Sequence, residues 1–69
     1  MSYETPDFAN GNKWVDIETG GSEFYWFKVY ECPQYDLMLY RSGYKSEEAA
    51  YKMAVSELDR IYGKGNWVA

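Results

Sequence analysis

The sequence predicts an α+β fold in which a three-stranded antiparallel sheet carries one C-terminal helix across one face, in the order β-β-β-α. Three observations lead there. Ser46 to Tyr62 reads as a helix from cap to cap, three aromatic or alternating runs precede it, and Gly, Pro and Asn punctuate the chain between them. Each element has its own physical argument.

Residues 1–12 are polar and interrupted by Pro6 and Asn10-Gly11. They predict a flexible N-terminal arm, with Tyr3 and Phe8 available to anchor it, ahead of a single domain over 13–69. Lys13 to Glu18 alternates, with Val15 and Ile17 on one side and Trp14, Asp16 and Glu18 on the other, as a half-covered strand does. Thr19-Gly20-Gly21-Ser22 is expected to be the hairpin turn, since paired glycines accept positive φ. Glu23 to Glu31 holds Phe24, Tyr25, Trp26, Phe27, Val29 and Tyr30, apolar on both parities, and predicts the central strand. Cys32-Pro33-Gln34-Tyr35-Asp36 is a turn, because Pro33 cannot donate to a ladder. Leu37 to Ser42 is the third strand and Gly43-Tyr44-Lys45 the link to the helix.

In the helix, Ser46 caps the free N–H groups of the first turn, and Glu47 and Glu48 sit at the positive end of the dipole. Ala50, Tyr51, Ala54, Val55, Leu58, Ile61 and Tyr62 share one apolar arc, with Glu48, Lys52, Ser56 and Asp59 opposite. Gly63 supplies a left-handed stop. Trp67, in the short tail, is expected to fold back onto the core.

Strand parity assigns the faces. Val15, Ile17, Tyr25, Phe27, Val29, Leu37 and Leu39 form the aliphatic floor for the helix. Trp14, Phe24, Trp26, Lys28, Tyr30, Met38 and Tyr40 form a second face, rich in Trp and Tyr, that one helix cannot also cover.

Composition narrows the chemistry. A 69-residue chain has one small core, and its 20% aromatic content, not disulfides, must stabilise it, because Cys32 is the sole cysteine. With no histidine, the commonest general base and metal imidazole are missing, and no Cys/His cluster suits zinc. Gly20-Gly21 lacks the following Lys and helix start that a phosphate loop requires, and Gly63-Lys64-Gly65 follows a helix instead of opening one. The expectation is a non-enzyme without cofactor, metal site or catalytic residue. A net charge of −4 disfavours direct binding to a phosphate backbone. No leader pattern or long apolar run is present, so no membrane partner and a cytoplasmic location are expected.

The segment Gly43-Tyr44-Lys45-Ser46-Glu47-Glu48-Ala49-Ala50-Tyr51 resembles the strand-to-helix junction of AP2-type and integrase-arm DNA-binding domains. The resemblance implies the β-β-β-α order. Those families read DNA with arginines and tryptophans projecting from the sheet. The comparable surface here offers Trp14, Trp26 and Lys28 beside Asp16, Glu18 and Glu23, and no arginine. In size, acidity and lack of catalytic residues the chain is also similar in type to small phage-encoded inhibitors such as anti-CRISPR proteins. Many of these present carboxylates where a target expects phosphates.

The resulting expectation is a protein-binding protein, of the phage inhibitor type, that covers a basic, nucleic-acid-binding surface of a host protein in the host cytoplasm. Its contact residues would be Trp14, Asp16, Glu18, Glu23, Trp26, Tyr30 and Tyr40. Two alternatives stand beside it: a small nucleic-acid-binding accessory domain using the same aromatic face, and a self-associating scaffold or homodimer.

Overall fold

Three strands pair as an antiparallel sheet in the order β1-β2-β3, with β1 at Trp14–Gly21, β2, rich in aromatic residues, at Tyr25–Cys32 and β3 at Asp36–Tyr44. The helix α1, Glu47–Tyr62, follows and packs on one face, giving the β-β-β-α arrangement of an α+β domain. The structure, a computed structural model, describes Phe8 and residues 10–69. The expected arm over residues 1–12, with its anchor Tyr3, therefore lies largely outside the described residues. Among those described, no helix is long and apolar enough to cross a membrane.

The first hairpin is longer than the sequence suggests. Thr19, Gly20 and Gly21 belong to β1, and the connection is Ser22-Glu23-Phe24. The glycines answer two other demands. Gly20 pairs with Trp26, whose indole occupies the space a side chain would need. Gly21 has φ 125, and a Cβ there would run into the Phe24 carbonyl, so it closes the strand against the loop. Phe24 consequently leaves the central strand and is 72% exposed in the loop.

The third strand also departs from simple alternation. Between the pairs Val29↔Leu39 and Tyr30↔Leu37 the register shifts, leaving Met38 as an extra residue; a second shift leaves Gly43 extra. A bulge of this kind reverses the facing of everything beyond it. Leu37, expected on the floor beneath the helix, instead pairs with Tyr30 on the opposite face, and Met38 takes the place on the helix side.

The core lies between the sheet and α1: Val15, Phe27 and Val29 from the strands, Ala50, Ala54 and Leu58 from the helix, and Phe8. Buried positions at 50, 54 and 58 follow the helical repeat, and two alanines let the helix backbone approach the sheet closely. Tyr51, expected in this arc, points away and is 47% exposed; Val55, Ile61 and Tyr62 are half-buried at its margins. Tyr44 stacks on Phe27 with centroids 5.8 Å apart.

The helix ends are closed by their own residues. Ser46 Oγ accepts from the Ala49 N–H at 3.0 Å, and the Gly63 N–H, at φ 97, donates to the Asp59 carbonyl at 2.9 Å. Thr19 Oγ1 donates to Glu47 Oε1 at 2.6 Å, tying β1 to the first helical turn.

Candidate binding surface

Which face is left open depends on where the residues near the two ends go, and Phe8 and Trp67 both go to the helix side. Phe8 is buried in the core with its ring edge-on to Tyr62, centroids 5.1 Å apart. Trp67 packs against the same core, and its indole N–H donates to Asp59 Oδ1 at 2.8 Å. The Val15 N–H donates to the Val68 carbonyl at 2.9 Å, so the tail runs beside the start of β1. Phe8 and Trp67 therefore both add to the helix-side core and not to the opposite face.

That opposite face is built by the register. On β1 it carries Trp14, Asp16, Glu18 and Gly20, which pair with Cys32, Tyr30, Lys28 and Trp26 of β2. On β3 it carries Leu37, Tyr40 and Ser42, paired with Tyr30, Lys28 and Trp26. Of the residues singled out from the sequence, Trp14, Asp16, Glu18, Trp26, Tyr30 and Tyr40 thus share one surface. Glu23 sits in the hairpin loop at the end of that surface, beyond the Gly21↔Tyr25 pair.

The surface has two parts. At one end, Tyr30 and Tyr35 bring their rings to 6.2 Å, and Tyr35 is held at φ 61. Its phenol is pushed above the usual tyrosine range, first by the Cys32 sulfur and next by the Asp16 carboxylate, so all three groups gather here. Cys32 itself is fully buried. At the other end, Lys28 holds its ammonium 5.0 Å from the Trp26 ring centroid and 5.9 Å from that of Tyr40. Trp26 is half-buried because its indole lies over Gly20; Trp14, Leu37 and Tyr40 are open to solvent.

Three contributors escaped the sequence reading of this surface. Leu37 was hidden by the bulge, Tyr35 by its position in a turn, and Gly20 because a paired glycine resembles a turn. Lys28 was visible on the face by parity, but nothing in sequence tells that its charge would settle on two rings.

Carboxylates dominate the surface electrostatics. Asp16 and Glu18 are exposed along β1, and Glu23 is exposed at the hairpin end. Glu18 Oε1 accepts from the Tyr30 hydroxyl at 3.5 Å, the long limit of a hydrogen bond. A separate cluster links the strands to the helix: Glu31 receives Lys13 on Oε1 at 2.8 Å and the Tyr62 hydroxyl on Oε2 at 3.1 Å. The Lys13 ammonium holds the Glu31 carboxyl below the usual carboxylate range, against the opposing effect of burial. Burial and then Glu31 push the Tyr62 phenol up to about 12. No group of three or more Cys, Asp or Glu suited to a metal ion occurs among the described residues. What the open face can do chemically is stack, bury apolar area and meet positive charge. In comparisons with known proteins, no family model, no curated protein and no solved structure matches the chain.

Proposed function

We propose that this is a non-catalytic binding protein whose open sheet face docks on a basic surface of a protein partner, and that it acts by covering that surface. One observation carries the reading. Among the described residues, nothing covers the face bearing Trp14, Trp26, Tyr30, Tyr35, Leu37 and Tyr40, and Phe8 and Trp67, both available to cover it, pack on the helix side instead. Large aromatic patches of this kind are rare on surfaces that contact only water, and Trp and Tyr dominate the energetics of protein interfaces. Asp16, Glu18 and Glu23 set the sign of the partner, since a carboxylate rim favours a positive surface and speeds encounter with it.

A basic surface of that shape commonly serves nucleic acid, and a rim of carboxylates takes the positions phosphates would hold. This supports an inhibitory role in which protein and nucleic acid compete for one site. The small size and net charge of −4 fit the phage-encoded inhibitor type. Competition is the test. The heparin-binding fraction of the native host should contain a protein retained by the immobilised chain, and a duplex or single-stranded oligonucleotide should displace it. A captured partner that holds the oligonucleotide and this protein together would contradict the reading.

A further inference from the structure

Lys28 stands at the centre of the open face, and its ammonium has made a choice. Glu18 is its direct partner across β1, yet the two form no ion pair. The ion pairs among the described residues are Lys13–Glu31, Glu48–Lys52 and Glu57–Arg60. The ammonium lies instead over the Trp26 ring at 5.0 Å and the Tyr40 ring at 5.9 Å. Two rings that hold a cation with a carboxylate within reach form a seat for positive charge. Trp26 is fixed in that seat from below, because its indole lies against the backbone of Gly20.

We propose that the Trp26–Tyr40 pair is a cation-reading site for an arginine or lysine side chain of the partner, with Lys28 as its resident occupant. When the partner's cation takes the seat, Lys28 swings across to Glu18. The partner class rests on the docking reading above; the seat itself does not. The exchange is close to neutral for the protein. Lys28 gives up a half-buried contact with two rings and gains an exposed ion pair, interactions of similar size. Directly opposed residues on antiparallel strands hold their Cβ atoms about 4.5–5.5 Å apart, so the ammonium reaches Glu18 without backbone movement. Binding of the new cation is then not opposed by a stranded charge. Asp16, on the same strand and face as Glu18, adds to the negative potential that draws the cation in.

The probe is N-acetylarginine methylamide, with the neutral citrulline analogue as control, followed through the three tryptophan indole N–H resonances and the surrounding amides. The cationic probe should shift the Trp26 resonance saturably and the citrulline analogue should not. Lys28→Met, which empties the seat, should tighten the cationic probe roughly two- to five-fold. Trp26→Leu should abolish the shifts around Tyr40 while the rest of the spectrum stays folded. Glu18→Gln should weaken the probe in the natural background and have a smaller effect beside Lys28→Met, because Lys28 then needs no landing place. Equal response to both probes, or no tightening in Lys28→Met, overturns the seat. Equal weakening by Glu18→Gln in both backgrounds overturns the exchange. The probe needs no partner, so a negative result here leaves the competition experiment to stand or fall separately.

Discussion

The Trp26 indole lies over Gly20 so closely that a Cβ on Gly20 would come within 2.5 Å of Cζ2. This contact fixes one of the two indoles of the open face in one orientation before any partner arrives. A fixed aromatic anchor loses little side-chain freedom on binding, which is how preorganisation raises affinity. Gly20→Ala should therefore lift the indole, with a stability cost on the order of 1 kcal/mol. Beside Trp26→Ala the same change should cost nothing or stabilise the strand. Urea melts of the two single variants and the double variant measure the coupling, and additive effects would mean that the two residues do not constrain one another.

The core makes a sharper distinction than helix periodicity alone. Leu58 is fully buried whereas Tyr51 is 47% exposed. Leu58→Ala should cost about 2–5 kcal/mol, a large part of the stability of so small a domain. Tyr51→Ala should stay within about 0.5 kcal/mol, as surface changes do. Ile61→Ala, at a half-buried position, should fall between them. Equilibrium denaturation ranks the three.

These elements also show how much was legible beforehand. The helix was readable to the residue because Ser46, the glutamates and Gly63 are local signals whose physics is complete within a turn. The pairing of three strands followed from aromatic runs and breakers. Leu37 and Met38 could not be read, since a bulge is decided by how β3 packs on β2 and leaves alternation in the sequence unchanged. Gly20 and Gly21 misled for a related reason: glycine serves a close approach as well as a turn, and only the neighbouring Trp26 and Phe24 carbonyl distinguish the two. Six of the seven expected contact residues share one face because they lie on β1, on β2 or, for Tyr40, on β3 between the bulges. Tyr35, brought to them from a turn, had no periodic signal.

The Glu31 cluster gives the fold two pH limits. The Glu31 carboxyl lies below its ordinary value in the folded state, chiefly through Lys13, so its stabilisation is complete above the unfolded value of about 4.3 and is lost as pH falls through the lowered one. Tyr62 is raised to about 12, so its contribution is complete below the unfolded value of about 10 and is lost as pH rises through about 12. Glu31→Gln should flatten the acid limb of stability and bring the Tyr62 titration down, short of the ordinary value because burial persists. Urea melts at stepped pH check the first, and absorbance of the phenolate the second.

Charge should govern encounter separately from contact. Neutralising Asp16, Glu18 and Glu23 together to Asn and Gln should slow association with a basic partner and flatten its salt dependence, while leaving the fold intact. Stopped-flow kinetics across a salt series reads this directly. The same acid excess predicts no binding to duplex or single-stranded oligonucleotide by fluorescence polarisation at micromolar protein in ~50 mM salt. Saturable, salt-sensitive binding would favour the nucleic-acid-binding alternative.

The central claim is that the face opposite the helix is the docking surface, and two aromatic positions on opposite sides of the domain test it. Trp26→Ala removes an anchor from the open face, and Tyr51→Ala removes a ring from the outer side of α1. Surface-resonance kinetics should be measured for both against the partner recovered in the competition experiment. Trp26→Ala should weaken binding by about 2 kcal/mol or more, mainly through faster dissociation, and Tyr51→Ala should change neither rate. Unchanged binding by Trp26→Ala with a clear loss in Tyr51→Ala would place the interface on the helix and contradict the account.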